Sequence, residues 1–349
     1  MPSGRASPAS GSSGSSDGLI RHLFVPGLLG PIPGLEREDR QALPRLEMLL
    51  ARADRLVEPV GYASGLFALF GIETPSGADL PTAAVCFLVD TGEAPEGFLL
   101  HADPLHLLPD RDRLLAFDLE DDPLDAEEIA QLADAFNAHF CDDGVRLCAS
   151  PAGRMYLHCD WAPSIGTHPL SAVIGRDLDR FLPDGGDRRW WRGLLNETQM
   201  LCHSLQLNRE RETRGRPALG GLWFSGGGML PPGRQTPITR LVGDCALSRG
   251  LLALCAGAGG DELIVEHAPA WAVMRADPGA WLQALAALED RMAALLRDCE
   301  ELRVHPGNGT VYSWRARSAR RWWRRKRSLF ECLDADLELP GGPRDDKRL

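Results

Sequence analysis

A capped amphipathic helix stands between two strand-like runs near the middle of the chain, and the same alternation recurs on both sides of it. The helix is DAEEIAQLADAFNAHF, residues 125–140. Asp125 takes the cap position with Glu128 three residues on, and Ile129, Leu132, Ala133, Phe136 and Phe140 recur at the spacing of one buried face. RLLAFDL before it and RMYLHCDW after it read as strands. Strands interleaved with helices, and no repeat with a period of roughly 20–50 residues, predict an α/β fold. The expected architecture is a single large domain over 19–333, with a mixed, mostly parallel sheet flanked by helices.

The remaining elements follow the same logic. LIRHLFVPGLLGP reads as a first strand closed by Pro26 and Gly27, and LPRLEMLLARADRL as a short amphipathic helix. AAVCFLVDTG fits a buried strand and a helix end equally. WWRGLLNETQMLCHSL and AWLQALAALEDRMAALLRD read as helices, GFLLHA and LGGLWFS as strands. ELRVHPGNGTVYSW is a hairpin signal with Asn308-Gly309 at its turn. The Ser/Gly-rich start, residues 1–18, predicts a disordered tail, and 334–349 a flexible acidic and polar one.

Composition narrows the function classes. A formal charge of −11 over 349 residues argues against nucleic acid as a partner for the protein as a whole. No apolar run reaches the length of a membrane span or the core of a signal peptide, so a cytoplasmic protein without a membrane partner is expected. Nine cysteines, an odd number with no C-x-x-C spacing, fit a reducing compartment better than a disulfide framework.

Several stretches carry candidate chemistry. FLLHADPLHLLPDRD, residues 98–112, holds His101, Asp103 and His106. Asp103 precedes a proline, which favours extended backbone, and a strand end would aim Asp103 and His106 into a crevice as ligand or metal groups. Imidazole with carboxylate suits zinc or iron, and carboxylate with water suits manganese or magnesium, so a divalent metal is the cofactor these residues admit. The bland alternative is a turn stabilised by local hydrogen bonds. His158 and Asp160 repeat the H-x-D spacing, and adjacent strands would bring both pairs together. In NETQMLCHSLQLN, Asn196, Gln199, His203 and Gln206 share a helix face suited to a polar ligand or to solvent. Trp223 leads into Gly226, Gly227 and Gly228, a loop able to approach phosphate or simply to turn. SWRARSARRWWRRKRSL interleaves arginine with tryptophan. Its alternatives are an interaction surface, or a terminal helix anchored by Trp322 or Trp323 whose arginines neutralise acidic surface. There is no G-x-S-x-G elbow and no H-E-x-x-H motif.

The strings ADPLHLLPDRDRL, LNETQMLCHSLQLNRERETRGRP and GLWFSGGGMLPP, in that order, resemble the bacterial regulatory proteins of the RpfE type, which are often labelled cofactor-independent phosphoglycerate mutases. Asp103, Pro104 and His106 match the family's A-D-P-x-H-L core, while Ser225 replaces its usual aromatic. The resemblance implies a regulatory or small-anion-binding protein. A cleft lined by Asp103, His106, Asn196, Glu197, Gln199, His203, Trp223 and Gly226–Gly228 would take a small anionic or phosphorylated ligand. The alternative it implies is a metal-dependent phosphotransferase or phosphohydrolase with Asp103 and His106 on the ion. Mutases of that kind need a first strand ending in an Asp-Gly loop and a later Asp-His pair. Here Val25-Pro26-Gly27 and Asp244-Cys245 stand in those places, so a lost or rebuilt catalytic set is expected.

Overall fold

The computed structural model describes residues 18–35, 41–73, 79–119, 121–297, 299–324 and 328–330. Apart from Gly18, both expected tails lie outside the described residues. The chain opens with strand β1 (Ile20–Phe24), helix α1 (Pro44–Arg52), strand β2 (Asp54–Val57) and helices α2 (Tyr62–Leu69) and α3 (Thr82–Thr91). A strand-rich stretch follows: β3 (Phe98–Asp110), β4 (Arg113–Phe117), helix α4 (Ala126–His139), β5 (Val145–Ala149) and β6 (Met155–Cys159). Two-residue strands β7 (Ile165–Gly166) and β8 (Asp184–Gly185) flank the single turn α5 (Leu170–Val173). Helices α6 (Arg188–Ser204) and α7 (Gln206–Thr213) lead to β9 (Gly221–Gly228), β10 (Gln235–Val242), α8 (Ala246–Leu254) and β11 (Ala256–Val265). The last elements are α9 (Ala268–Met274), α10 (Pro278–Leu295), β12 (Glu301–His305) and β13 (Thr310–Arg315).

The α/β class is as expected, and the strands divide between two main sheets. The six-stranded sheet runs β10-β11-β1-β12-β13-β2. Its β10, β11, β1 and β12 are parallel, and the hairpin strand β13 and edge strand β2 join antiparallel. The second sheet, β4-β3-β6-β5 with β9 also on β3, is antiparallel throughout. Leu23, Phe24 and Val25 at the end of β1 are fully buried because helices cover both faces of this central strand. Leu23 and Val25 pack with α1 and α10, while Phe24 packs with α2, α3 and α8. That second core also takes Leu99 and Tyr156 from the antiparallel sheet, so α2, α3 and α8 form a layer shared by both sheets. The outer face of the antiparallel sheet is closed by α4 and α6 through Phe136, Trp191 and Leu194.

Local signals explain most boundaries. Asp125 and Glu128 form a complete capping box on α4. The ambiguous run at 83–92 is helix α3. Gly92, with φ of +76°, ends it in the left-handed conformation that glycine adopts without steric cost. No helix among the described residues is long and apolar enough to cross a membrane.

Candidate functional site

The H-x-D stretch lies inside β3, whose pairing decides its neighbours. β3 and β6 run antiparallel, with Leu99 opposite His158 and His101 opposite Tyr156. The two H-x-D pairs therefore extend away from each other along the ladder and do not converge. His158 instead approaches the carbonyl of Glu96 at 2.9 Å, and its partner Asp160 is largely exposed. What β3 and β6 bring together is an internal polar cluster. Asp90 of α3 accepts from Arg154 Nε at 2.7 Å, from Arg154 Nη2, and from the Tyr156 hydroxyl at 2.6 Å. Burial pulls the Asp90 pKa upward, but these donors outweigh it and hold it below the ordinary carboxylate value. Asp103 has no hydrogen-bond donor among the described residues. Burial raises its pKa to about 7, against the pull of Arg154. Burial and the Arg154 charge lower His101 to about 4, with Asp90 opposing.

His106 belongs to a different neighbourhood. Its Nδ1 lies 2.8 Å from the Ala218 carbonyl, and it lines a small pocket of about 360 Å³ with His203 and Asn208. The structure thus brings His106 and His203 together and leaves Asp103 with Arg154. Asn196 and Glu197 lie on the exposed face of α6, where Glu197 pairs with His139 at 3.4 Å. Gln199 packs on Gly221, and Gln206 opens the separate helix α7. Trp223 is buried and donates through Nε1 to the His168 carbonyl at 2.8 Å. Gly226, Gly227 and Gly228 are the end of β9 itself. A Cβ on them would strike Thr82, the Phe98 ring and Pro81, and the Gly226 N–H already donates to Thr167 Oγ1. Close packing is what demands glycine there.

A cleft of about 1050 Å³ opens outside the carboxyl ends of the parallel strands, the place where open α/β sheets collect ligands. The loop after β1 (Pro26, Gly27), the β12–β13 turn (Gly307, Asn308), Tyr62 and Ala270 form one wall. His106, Asp118, Asp121 and Arg176 line it from the side of the antiparallel sheet. Arg275 reaches Asp121 at 3.5 Å and Asp118 at 3.9 Å, whereas Arg176 makes no ion pair among the described residues.

Behind that wall lie titratable groups that the motif reading passed over. The Tyr62 hydroxyl is 3.0 Å from Cys245 Sγ, and the rings of Tyr62 and His267 meet edge to face at 4.8 Å. Burial opposes ionisation of the Cys245 thiol, but hydrogen bonds from His267 and Tyr62 and the N–H of Ser248 outweigh it and lower its pKa to about 6. Beside them, Glu58, His305 and His22 form a buried chain, with Glu58 Oε2 2.7 Å from His305 Nδ1 and His305 Nε2 3.1 Å from His22 Nδ1. The one sequence signal was Asp244-Cys245 following a strand. No group of three or more His, Cys, Asp or Glu side chains among the described residues is arranged to hold a metal ion. The donor set among the described residues does not fit a two-metal phosphomutase centre.

No protein-family model and no curated protein matches the chain. Among solved structures it is similar to the cofactor-independent phosphoglycerate mutase from Thermoplasma acidophilum DSM 1728. That likeness is 16% identical, covers 93% of this chain and 100% of the other, and has a TM-score of 0.37. It is also similar to the PH0037 protein from Pyrococcus horikoshii, at 14% identity, covering 86% and 92% of the two chains with a TM-score of 0.46.

Proposed function

We propose that this protein is a ligand-binding, regulatory protein of the RpfE type, and that the cleft at the carboxyl edge of the parallel sheet takes a small phosphate- or carboxylate-bearing anion. The observation that carries the reading is Arg176, a guanidinium on the cleft wall that makes no ion pair among the described residues. An unpaired arginine can offer a planar fork of donors to either oxyanion. His106 on the same side, and Asn308 and Tyr62 on the other wall, supply further polar groups around the cleft.

Titration calorimetry with inorganic phosphate, 3-phosphoglycerate and citrate tests this. Saturable binding of at least one anion, weakened roughly 10–100-fold by Arg176→Ala, is expected for the loss of a charge-assisted contact. Absence of binding by all three would overturn the reading. A coupled assay for phosphoglycerate interconversion with added manganese belongs beside it, because turnover sensitive to the same substitution would move the protein to the phosphotransferase class.

A further inference from the structure

We propose that Cys245 is a nucleophile, with His267 as its proton carrier and Tyr62 as the phenol that holds the thiolate, and that the site acts on a carboxylic ester or thioester. Three chain segments build it. The crossover after β10 places Cys245 at the N-cap of α8, the end of β11 places His267 at the N-cap of α9, and Tyr62 opens α2. Parallel neighbours β10 and β11 finish at the same edge, so residues 22 positions apart in sequence arrive side by side. Cys245 is neither sealed in the core nor fully exposed. A thiol at a helix N-terminus beside an imidazole is the environment in which cysteines become nucleophiles.

The acyl class follows from the backbone. Ala246 and Leu247 in the first turn of α8 have no intrahelical acceptor for their N–H groups, which lie at the end where Cys245 Sγ stands. Such donors match the oxyanion that forms when a carbonyl is attacked. In the first step the thiolate forms a C–S bond to the acyl carbon. The bond to the alkoxide or thiolate leaving group breaks, and that group takes the proton carried by His267. In the second step His267 takes a proton from water, the resulting hydroxide attacks the acyl-cysteine, and the thiolate leaves. The sum is ester or thioester plus water giving acid plus alcohol or thiol. Among the described residues, further titratable and charged groups around this site are Cys86 on α3, the Glu58–His305–His22 chain beside Tyr62, and Asp244 and Arg249, which pair with each other at 3.5 Å.

The inference goes beyond anion binding, and its test needs no cleft ligand, so the two readings fail separately. The full-length reduced protein is treated with iodoacetamide between pH 5 and pH 9, and modification is resolved by site, with exposed Cys141 as internal reference. Cys245 is expected to react with a midpoint near pH 6 and, at pH 6, roughly tenfold faster than Cys141 after allowing for the weaker nucleophilicity of a low-pKa thiolate. Tyr62→Phe and His267→Gln are expected to move that midpoint upward. p-Nitrophenyl acetate is expected to leave an acetyl group on Cys245 in the wild type and none at residue 245 in Cys245→Ser. Cys245 reacting no faster than Cys141, or acetyl found only elsewhere, would overturn the proposal. Both readouts on the wild type stand even if a variant fails to fold.

Discussion

Nε2 of His305 lies 3.1 Å from Nδ1 of His22, across two adjacent parallel strands in the interior of the protein. With His305 neutral and its Nδ1 proton given to Glu58, its Nε2 accepts from His22 Nδ1; once His305 is charged, its Nε2 donates and His22 Nδ1 accepts. A second proton on His22 would face the Asp261 carboxylate only at 3.9 Å, with Glu301 favouring it and Arg303 opposing it. Burial lowers its pKa from 6.5 to about 3, helped by the charge of His305. Between those two values the unfolded chain binds a proton here that the folded chain refuses. The stabilising contribution is thus whole above pH 6.5 and lost as pH falls toward 3. His22→Gln keeps an N–H for His305 and cannot titrate. Its urea midpoint should fall less than that of the wild type between pH 7 and pH 4, by up to about 3 kcal/mol.

Asp103 works in the opposite direction. Burial raises its pKa from 3.8 to about 7, so the folded state holds a proton that the unfolded state has released. Its contribution is present below pH 3.8 and lost as pH rises through 7. Asp103→Asn should therefore gain roughly 1–3 kcal/mol over the wild type at pH 8 and little at pH 4. Because His22 and His101 titrate with the reverse sign, the variant should also lose stability more steeply on acidification. Denaturation series at pH 4, 6 and 8 measure both effects, and equal gains at all three would exclude the assignment.

How far the sequence reveals this molecule depends on where its information is local. The capping box of Asp125 and Glu128, the buried stripe of α4 and the Asn308-Gly309 turn are written within a few residues, and each element forms where those signals lie. α3 gave no period because Ala83, Ala84, Val85 and Cys86 meet core on every side, and a helix buried all round reads like a buried strand. The repeated H-x-D spacing was real, yet strand direction, which spacing does not encode, sends the pairs apart. Tyr62 and Cys245 are 183 positions apart and share no motif, so only the shared carboxyl edge of the parallel sheet reveals that they meet.

Arg211, within the string that carries the family resemblance, is fully buried and spends its donors on structure. It reaches Glu128 Oε2 at 2.8 Å, the Asp122 carbonyl at 2.8 Å and the Pro217 carbonyl at 2.7 Å. Glu128 is also the residue that closes the α4 capping box, so one guanidinium ties α7 to the start of α4. Arg211→Met would leave that buried carboxylate only the longer contact to Arg216, at 3.6 Å, at a cost of up to about 3–5 kcal/mol. Adding Glu128→Gln should recover part of the loss, and a double-mutant cycle by urea denaturation reads the coupling. Strict additivity of the two substitutions would show that the pair is not coupled.

The basic tryptophan segment divides into two parts with different fates. Arg315 pairs with Glu301 at 2.6 Å and Arg321 with Asp54 at 2.7 Å, so part of its charge is neutralised within the protein. The expected anchors, Trp322 and Trp323, are 78% and 63% exposed, whereas Leu329 and Phe330 are buried. Those two side chains join the core beneath α1 and α10, with Phe330 edge-on to Trp281 at 6.3 Å. Phe330→Ala should therefore cost about 3–5 kcal/mol, the range for deleting a buried aromatic ring. Replacing Trp322 and Trp323 together by alanine should change stability by less than about 0.5 kcal/mol, as for surface positions. Thermal denaturation of the two variants side by side separates the roles, and a large loss in the double tryptophan variant would place the anchor where the sequence first suggested it.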